Sequence, residues 1–169
     1  MRPSEKDYAS YYKVYIEQIK GDDVLSVLED QLTIATKFFS TISEAKGNYA
    51  YAAGKWSVKE VIGHMIDVER IFATRALCIA RGEKQSLPGF EQDDYVKQAG
   101  FSKRYLNDLV AEFSLVRKSN VALFKSFSEE ELNKRGTASK NEITVCAILF
   151  IIAGHCMHHI NVLKEKYGV

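Results

Sequence analysis

Three of the four histidines in this chain fall within GHCMHHI, Gly154 to Ile160, and the fourth, His64, lies in its first half. A neutral imidazole is a ligand for zinc, nickel, copper or iron, so the spacing of the cluster is the first thing to test. On a helix that turns about 100° per residue, His155 and His159 differ by about 40° and stand one turn apart on one face, where they can share an ion. Ile148, Ile152, Val162 and Lys166 recur on that face, which is read as pointing inward. His158 stands about 60° from His155, on the flank beside Ile151 and Gly154, where packing against a neighbouring helix or a second subunit is the simpler account.

His64 sits at the edge of an apolar stripe formed by Val61, Met65, Val68 and Phe72, so it too can face the interior. Three imidazoles from two helices make a metal site with one or more positions open to water or substrate. Asp67, about one turn from His64, is placed to orient an imidazole as an outer partner or to act as a base. As a solvated helix charge it would instead pair with Arg70 or Lys59. Glu60 belongs more readily to a helix cap, and Asp93 and Asp94 to the start of a short helix. Cys156 points about 100° away from His155, and Cys78 lies roughly 20 Å along its helix from His64; neither is read as a nucleophile.

The elements that must position these residues are helical. Windows of about 23–42, 58–81, 102–127 and 142–167 carry a 3.6-residue apolar period, and only two prolines occur in 169 residues. WSVKEV supplies Ser57 as N-cap with Glu60 three residues on, and Ser128 with Glu131 repeats the pattern ahead of a short helix. About twenty residues, GEKQSLPGFEQDDYVKQAGF, separate the second and third long helices. That is far more than antiparallel neighbours need, so these two helices are expected to run parallel. FEQDDYVKQ reads as a short helix within that loop.

Helical rise tests this topology independently. His64 is roughly 10 Å from the start of its helix, while His155 and His159 are roughly 12–18 Å from the end of theirs. The three meet only if the second and fourth helices are antiparallel, as in an up-down-down-up bundle. The expectation is one all-α domain over residues 1–169, with residues 1–21, rich in tyrosine, wrapping the bundle.

Composition narrows the function class. With 23 basic against 22 acidic residues the net charge is +1, which gives no field for nucleic acid or anionic membrane. The apolar run before His155 is short of the roughly 18 residues of a membrane span. Three cysteines without CxxC spacing read as reduced thiols, and the expected location is cytoplasmic.

GKWSVKEVIGHMIDVER, then LPGFEQDDYV, then TVCAILFIIAGHCMHHINVLKEKYG resemble the DinB-like, or YfiT-like, superfamily of metal-dependent enzymes over nearly the whole chain. The resemblance implies a left-handed up-down-down-up four-helix bundle. It also implies a divalent metal, nickel or zinc, held by His64, His155 and His159. Better-understood members are similar to S-transferases that use a low-molecular-weight thiol such as bacillithiol or mycothiol as cosubstrate, and others to hydrolases. The expectation is a metal-dependent transferase or hydrolase acting on a small molecule, as a homodimer. The alternatives are a metal- or ligand-binding bundle without turnover and a metal-free interaction protein.

Overall fold

The computed structural model describes residues 2–169. Its elements are α1 (Lys13–Ile16), α2 (Val24–Ser40), α3 (Val58–Ala80), α4 (Gln92–Ala99), α5 (Leu106–Lys125), α6 (Glu129–Asn133), β1 (Arg135–Ala138), β2 (Asn141–Thr144) and α7 (Val145–Val162). The four long helices α2, α3, α5 and α7 form the bundle. Each of α2 and α3 packs against both α5 and α7.

Side-chain contacts fix the helix directions. Lys59, at the start of α3, pairs with Glu44, whose carboxylate also accepts the backbone N–H of Leu106 at the start of α5. At the far end Arg81, just after α3, pairs with Glu131 and lies over the Phe127 ring, just after α5. So α3 and α5 are parallel. Lys125 at the end of α5 pairs with Glu29 near the start of α2, which sets those two antiparallel. Lys164, beyond α7, lies over Phe38 near the end of α2, which sets α2 and α7 parallel. The bundle is therefore up-down-down-up.

The helices start where their caps dictate. Ser57 Oγ accepts the Glu60 N–H while Glu60 returns a bond to the Ser57 N–H, and Ser128 and Glu131 repeat this for α6. The short helix in the long loop is α4, ended by Gly100 at φ +64°. The fourth long helix departs from expectation at its start. Residues 141–144 are not its first turn but strand β2, paired antiparallel with β1 from Arg135↔Thr144 to Ala138↔Asn141. Thr144, β-branched, then caps α7 by accepting the Ala147 N–H. The hairpin is joined to the long loop through a bridge at Leu87, whose N–H donates to Thr137 and whose carbonyl accepts from Ser139.

Helix α7 with its π-helical continuation to Tyr167 is 23 residues long and holds an 18-residue stretch of mean hydropathy 1.7, long and apolar enough to cross a membrane. The run was expected to be too short; continuation past the histidines makes the difference. Here 72% of that apolar window is buried by the protein itself. The helix is apolar all round because α2, α3 and the N-terminal α1 cover it.

Candidate metal centre

The start of α3 and the end of α7 are tied directly. The Tyr167 hydroxyl donates to the Trp56 carbonyl at 2.6 Å, and the Trp56 ring lies 4.8 Å from that of His64. Beside His64, Gly63 has the Phe101 ring against it; a Cβ there would lie 2.3 Å from a ring carbon. Just before His155, the Ala153 carbonyl accepts a hydrogen bond from Gln31 on α2. Gly154 is covered by the backbone of Tyr15, whose ring stands edge-on to His155 and His158, 5.4 Å from each. The N-terminal segment thus closes one side of the histidine cluster.

At the centre, His155 Nε2 lies 3.1 Å from His64 Nε2 and 3.0 Å from His159 Nε2. One ligand atom from each of the three falls within 4.8 Å of the others. A ring nitrogen has a single in-plane position, either one proton or one lone pair, so His155 Nε2 cannot satisfy both neighbours by hydrogen bonding. Three lone pairs aimed at one shared ion resolve the conflict. Tetrahedral zinc at about 2.05 Å would place its nitrogens roughly 3.3 Å apart, close to what is seen. The set fits a divalent transition metal.

Burial keeps these rings neutral, the form that binds a metal. It pushes His64 down to about 4 and His159 down to about 3, the latter helped by His64 and His158. His155 is driven well below its ordinary value by burial first, then by the other three histidines and Arg117. His159 Nδ1 is buried with no hydrogen-bond partner. Among the described residues no carboxylate hydrogen-bonds that nitrogen, unlike the outer partner many metal-bound histidines have.

The other sequence candidates lie elsewhere. Asp67 is half-buried and makes no hydrogen bond to His64. Burial raises its carboxyl, and its charged neighbours are Arg70, Glu112 and Arg104. His158 is outside the three-nitrogen cluster, its ring 5.1 Å from that of His159. Glu60 is held by the Ser57 cap. Asp93 and Asp94 sit exposed in the first turn of α4. No disulfide forms among the described residues; Cys156 is buried beside Arg117, and burial pushes its thiol up to about 11.

A cavity of about 790 Å³ opens from His64 and His155, within the range usual for small-molecule sites. Its walls are Tyr12, Tyr15, Phe72 and Ile151, with the long loop from Ser86 to Gln92 forming the far side. Sequence reasoning missed one residue of that cavity, Arg75. It stands eleven residues after His64, three turns on and within about 20° of the same face. A lone arginine inside an apolar helical stripe was the available signal.

The chain matches the family model described as the DinB superfamily over residues 28–163. No curated protein matches it in sequence. In structure it is similar to YfiT from Bacillus subtilis, described as a probable metal-dependent hydrolase with an unusual four-helix bundle topology. The TM-score is 0.76 and the identity 16%, over 99% of this chain and 94% of that one. It is also similar to a mycothiol-dependent maleylpyruvate isomerase, with TM-score 0.70 and identity 12%, over 86% of this chain and 61% of that one. A DinB-like protein, YjoA of Bacillus subtilis, aligns with TM-score 0.60 and 20% identity, over 86% of this chain and 92% of that one.

Proposed function

This chain belongs to the DinB superfamily, and from that premise we propose that it is a metal-dependent enzyme whose His64, His155 and His159 hold one nickel or zinc ion. The observation that carries the reading is the meeting of three Nε2 atoms from α3 and α7, which no hydrogen-bond arrangement satisfies. The bound ion would supply Lewis acidity, lowering the pKa of a thiol or water brought to its open side.

Within the class, the cavity favours transfer of a low-molecular-weight thiol to an electrophilic small molecule over hydrolysis. Water starts from a pKa near 15.7 and a thiol from about 8.5, so water needs more help from a base. Among the described residues the cavity wall carries one carboxylate, Glu91, exposed on the loop. Asp67 is not part of that wall, and no step is assigned to it. What this chain's residues do is position. Burial holds the three imidazoles neutral, Tyr15 and Trp56 pack edge-on or tilted against them, and the loop limits access.

The test begins with elemental analysis of protein purified without an affinity tag, expected to give about one equivalent of nickel or zinc. Metal below a tenth of an equivalent that is not restored by adding either ion would sink the reading. The loaded protein is then screened with bacillithiol, mycothiol or cysteine against electrophilic acceptors, with esters and amides in parallel. Metal binding without turnover of any pair would replace the enzyme by a binding module.

A further inference from the structure

Three cationic side chains are buried among the described residues: Lys59, Arg75 and Arg117. Two of them are neutralised, Lys59 by Glu44 and Arg117 by Glu69, each at 2.5 Å. Arg75, 4% exposed, pairs with no carboxylate among the described residues. Its hydrogen bonds both leave from Nη2, to the Pro88 carbonyl at 2.7 Å and the Ser139 hydroxyl at 3.1 Å. Of the five guanidinium N–H groups, those on Nε and Nη1 are left for the adjacent Tyr12 hydroxyl and for other partners. Its Cζ lies over two aromatic rings, 4.8 Å from the Phe72 centroid and 5.8 Å from that of Phe90. Tyr12 is the remaining polar neighbour. Burial raises its hydroxyl, Tyr11 adds to the rise, and Arg75 opposes it.

A buried cation without a counter-ion is costly, and the fold shows by its other two that it can supply one. Arg75 also lines the cavity that begins at His64 and His155. The local backbone is strained toward that arrangement. The hairpin turn that brings Ser139 to Arg75 has φ +51° at Ser139 and +66° at Lys140, where Asn and Gly are the usual residues. Lys140, exposed, adds a second positive charge at the cavity wall.

We propose that Arg75 is an anion-binding residue that takes the terminal carboxylate or phosphate-like group of an elongated substrate whose other end reacts at the three-histidine centre. His64 and Arg75 are eleven residues apart on α3, about 16 Å of helix, and the Arg side chain leans back toward the N-terminus. A ligand that reaches both spans roughly 10–15 Å. Between its ends lie Val68, Phe72 and Ile151, so its middle is apolar. This substrate class rests on the metal reading above for the reactive end only; the anion subsite stands on Arg75 itself.

The test uses nickel-loaded protein and thiols of increasing chain length, from mercaptopropionate to mercaptoundecanoate, each beside its neutral ω-hydroxy analogue and its phosphonate analogue. Binding is followed by the thiolate-to-nickel charge-transfer absorption. At the matching length the charged thiol is expected to bind about tenfold tighter than the neutral one, with no such preference at the shortest length. The preference should vanish in Arg75→Met and survive in part in Arg75→Lys. A larger gain for carboxylate or for phosphonate identifies which anion the subsite takes. Equal affinity of charged and neutral thiols at every length in the unmodified protein overturns the proposal without recourse to any variant, as does a preference that persists in Arg75→Met.

A parallel calorimetric titration of metal-free protein with nonanoate and nonanol separates the two readings. A carboxylate preference there, with no thiol perturbing nickel, supports the subsite and removes the metal role. Thiol-to-nickel absorption with no charge preference does the reverse.

Discussion

Gly154 of α7 and the Tyr15 carbonyl are in such close contact that a Cβ at Gly154 would lie 1.9 Å from the carbonyl oxygen and 2.4 Å from its carbon. The obstacle is backbone, which cannot rotate aside as a side chain does. Gly154→Ala should therefore lift the segment around Tyr15 off α7 and open the flank of His155 while the bundle stays folded. Amide hydrogen exchange is the check, with faster exchange over residues 12–19 expected and unchanged rates in α3 and α5. Uniform protection across the variant would show that the segment tolerates the methyl group.

Replacing His155 by Ala should abolish stoichiometric metal binding, since its Nε2 is the one near both other ring nitrogens. His158→Ala should retain about one equivalent, because that ring lies outside the cluster. Metal analysis of the two variants side by side decides the matter, and the opposite pattern would move the ligand register by three residues.

The metal-free protein should lose stability on acidification over a defined window. In the folded state burial holds His64 near 4 and His159 near 3, with His155 also far down, whereas the unfolded chain protonates near 6.5. Their neutral burial costs nothing above the unfolded value. Below it the unfolded state takes up protons that the folded state refuses, so stability falls from about pH 6.5 down toward 3, by about 1.4 kcal/mol per pH unit for each of these histidines. Urea midpoints between pH 7.5 and 4.5 measure this. A flat profile would mean that the rings protonate freely in the fold.

Arg117, on α5, donates from Nε and Nη2 to Glu69 of α3 and from Nη1 to the Gln31 side chain of α2, and Asn120 donates to the other Glu69 oxygen. This network joins three helices in a dry interior. Arg117→Met should cost about 3–5 kcal/mol, because it strands the Glu69 charge, whereas Arg117→Met with Glu69→Leu should recover much of the loss. Denaturation midpoints of the single and double variants give the comparison. A single-variant loss under about 1 kcal/mol would mean that Glu69 finds another partner or takes up a proton.

The parts of the molecule legible from sequence are those set by local rules. The Ser57–Glu60 and Ser128–Glu131 boxes start helices where their residue types require, and helical rise, given that the three histidines meet, joined the long second connection in pointing to antiparallel α3 and α7. The β1–β2 hairpin was missed because its two-residue turn is Ser139–Lys140, both at positive φ without the Asn-Gly signal. The Arg117–Glu69 pair was missed because nothing local marks a charge as buried; only the meeting of α3 and α5 does. Arg75 carried a weak signal as a lone arginine in an apolar stripe, but its burial follows only once the loop at Pro88 and the hairpin at Ser139 are folded over it.

His64 and His155 are separated by 91 positions in the chain, on the second and the last of the long helices. Their meeting point exists only after α3 and α7 have docked, so an ion held there belongs to the late stages of assembly. Such a bond does little for the rate of folding and acts mainly on the rate of escape from the native state. It would work as a removable staple, whose hold tightens with the logarithm of free metal concentration. With an ion bound, the lifetime of the folded chain would be coupled to metal supply, whatever the reaction at the open side of the ion.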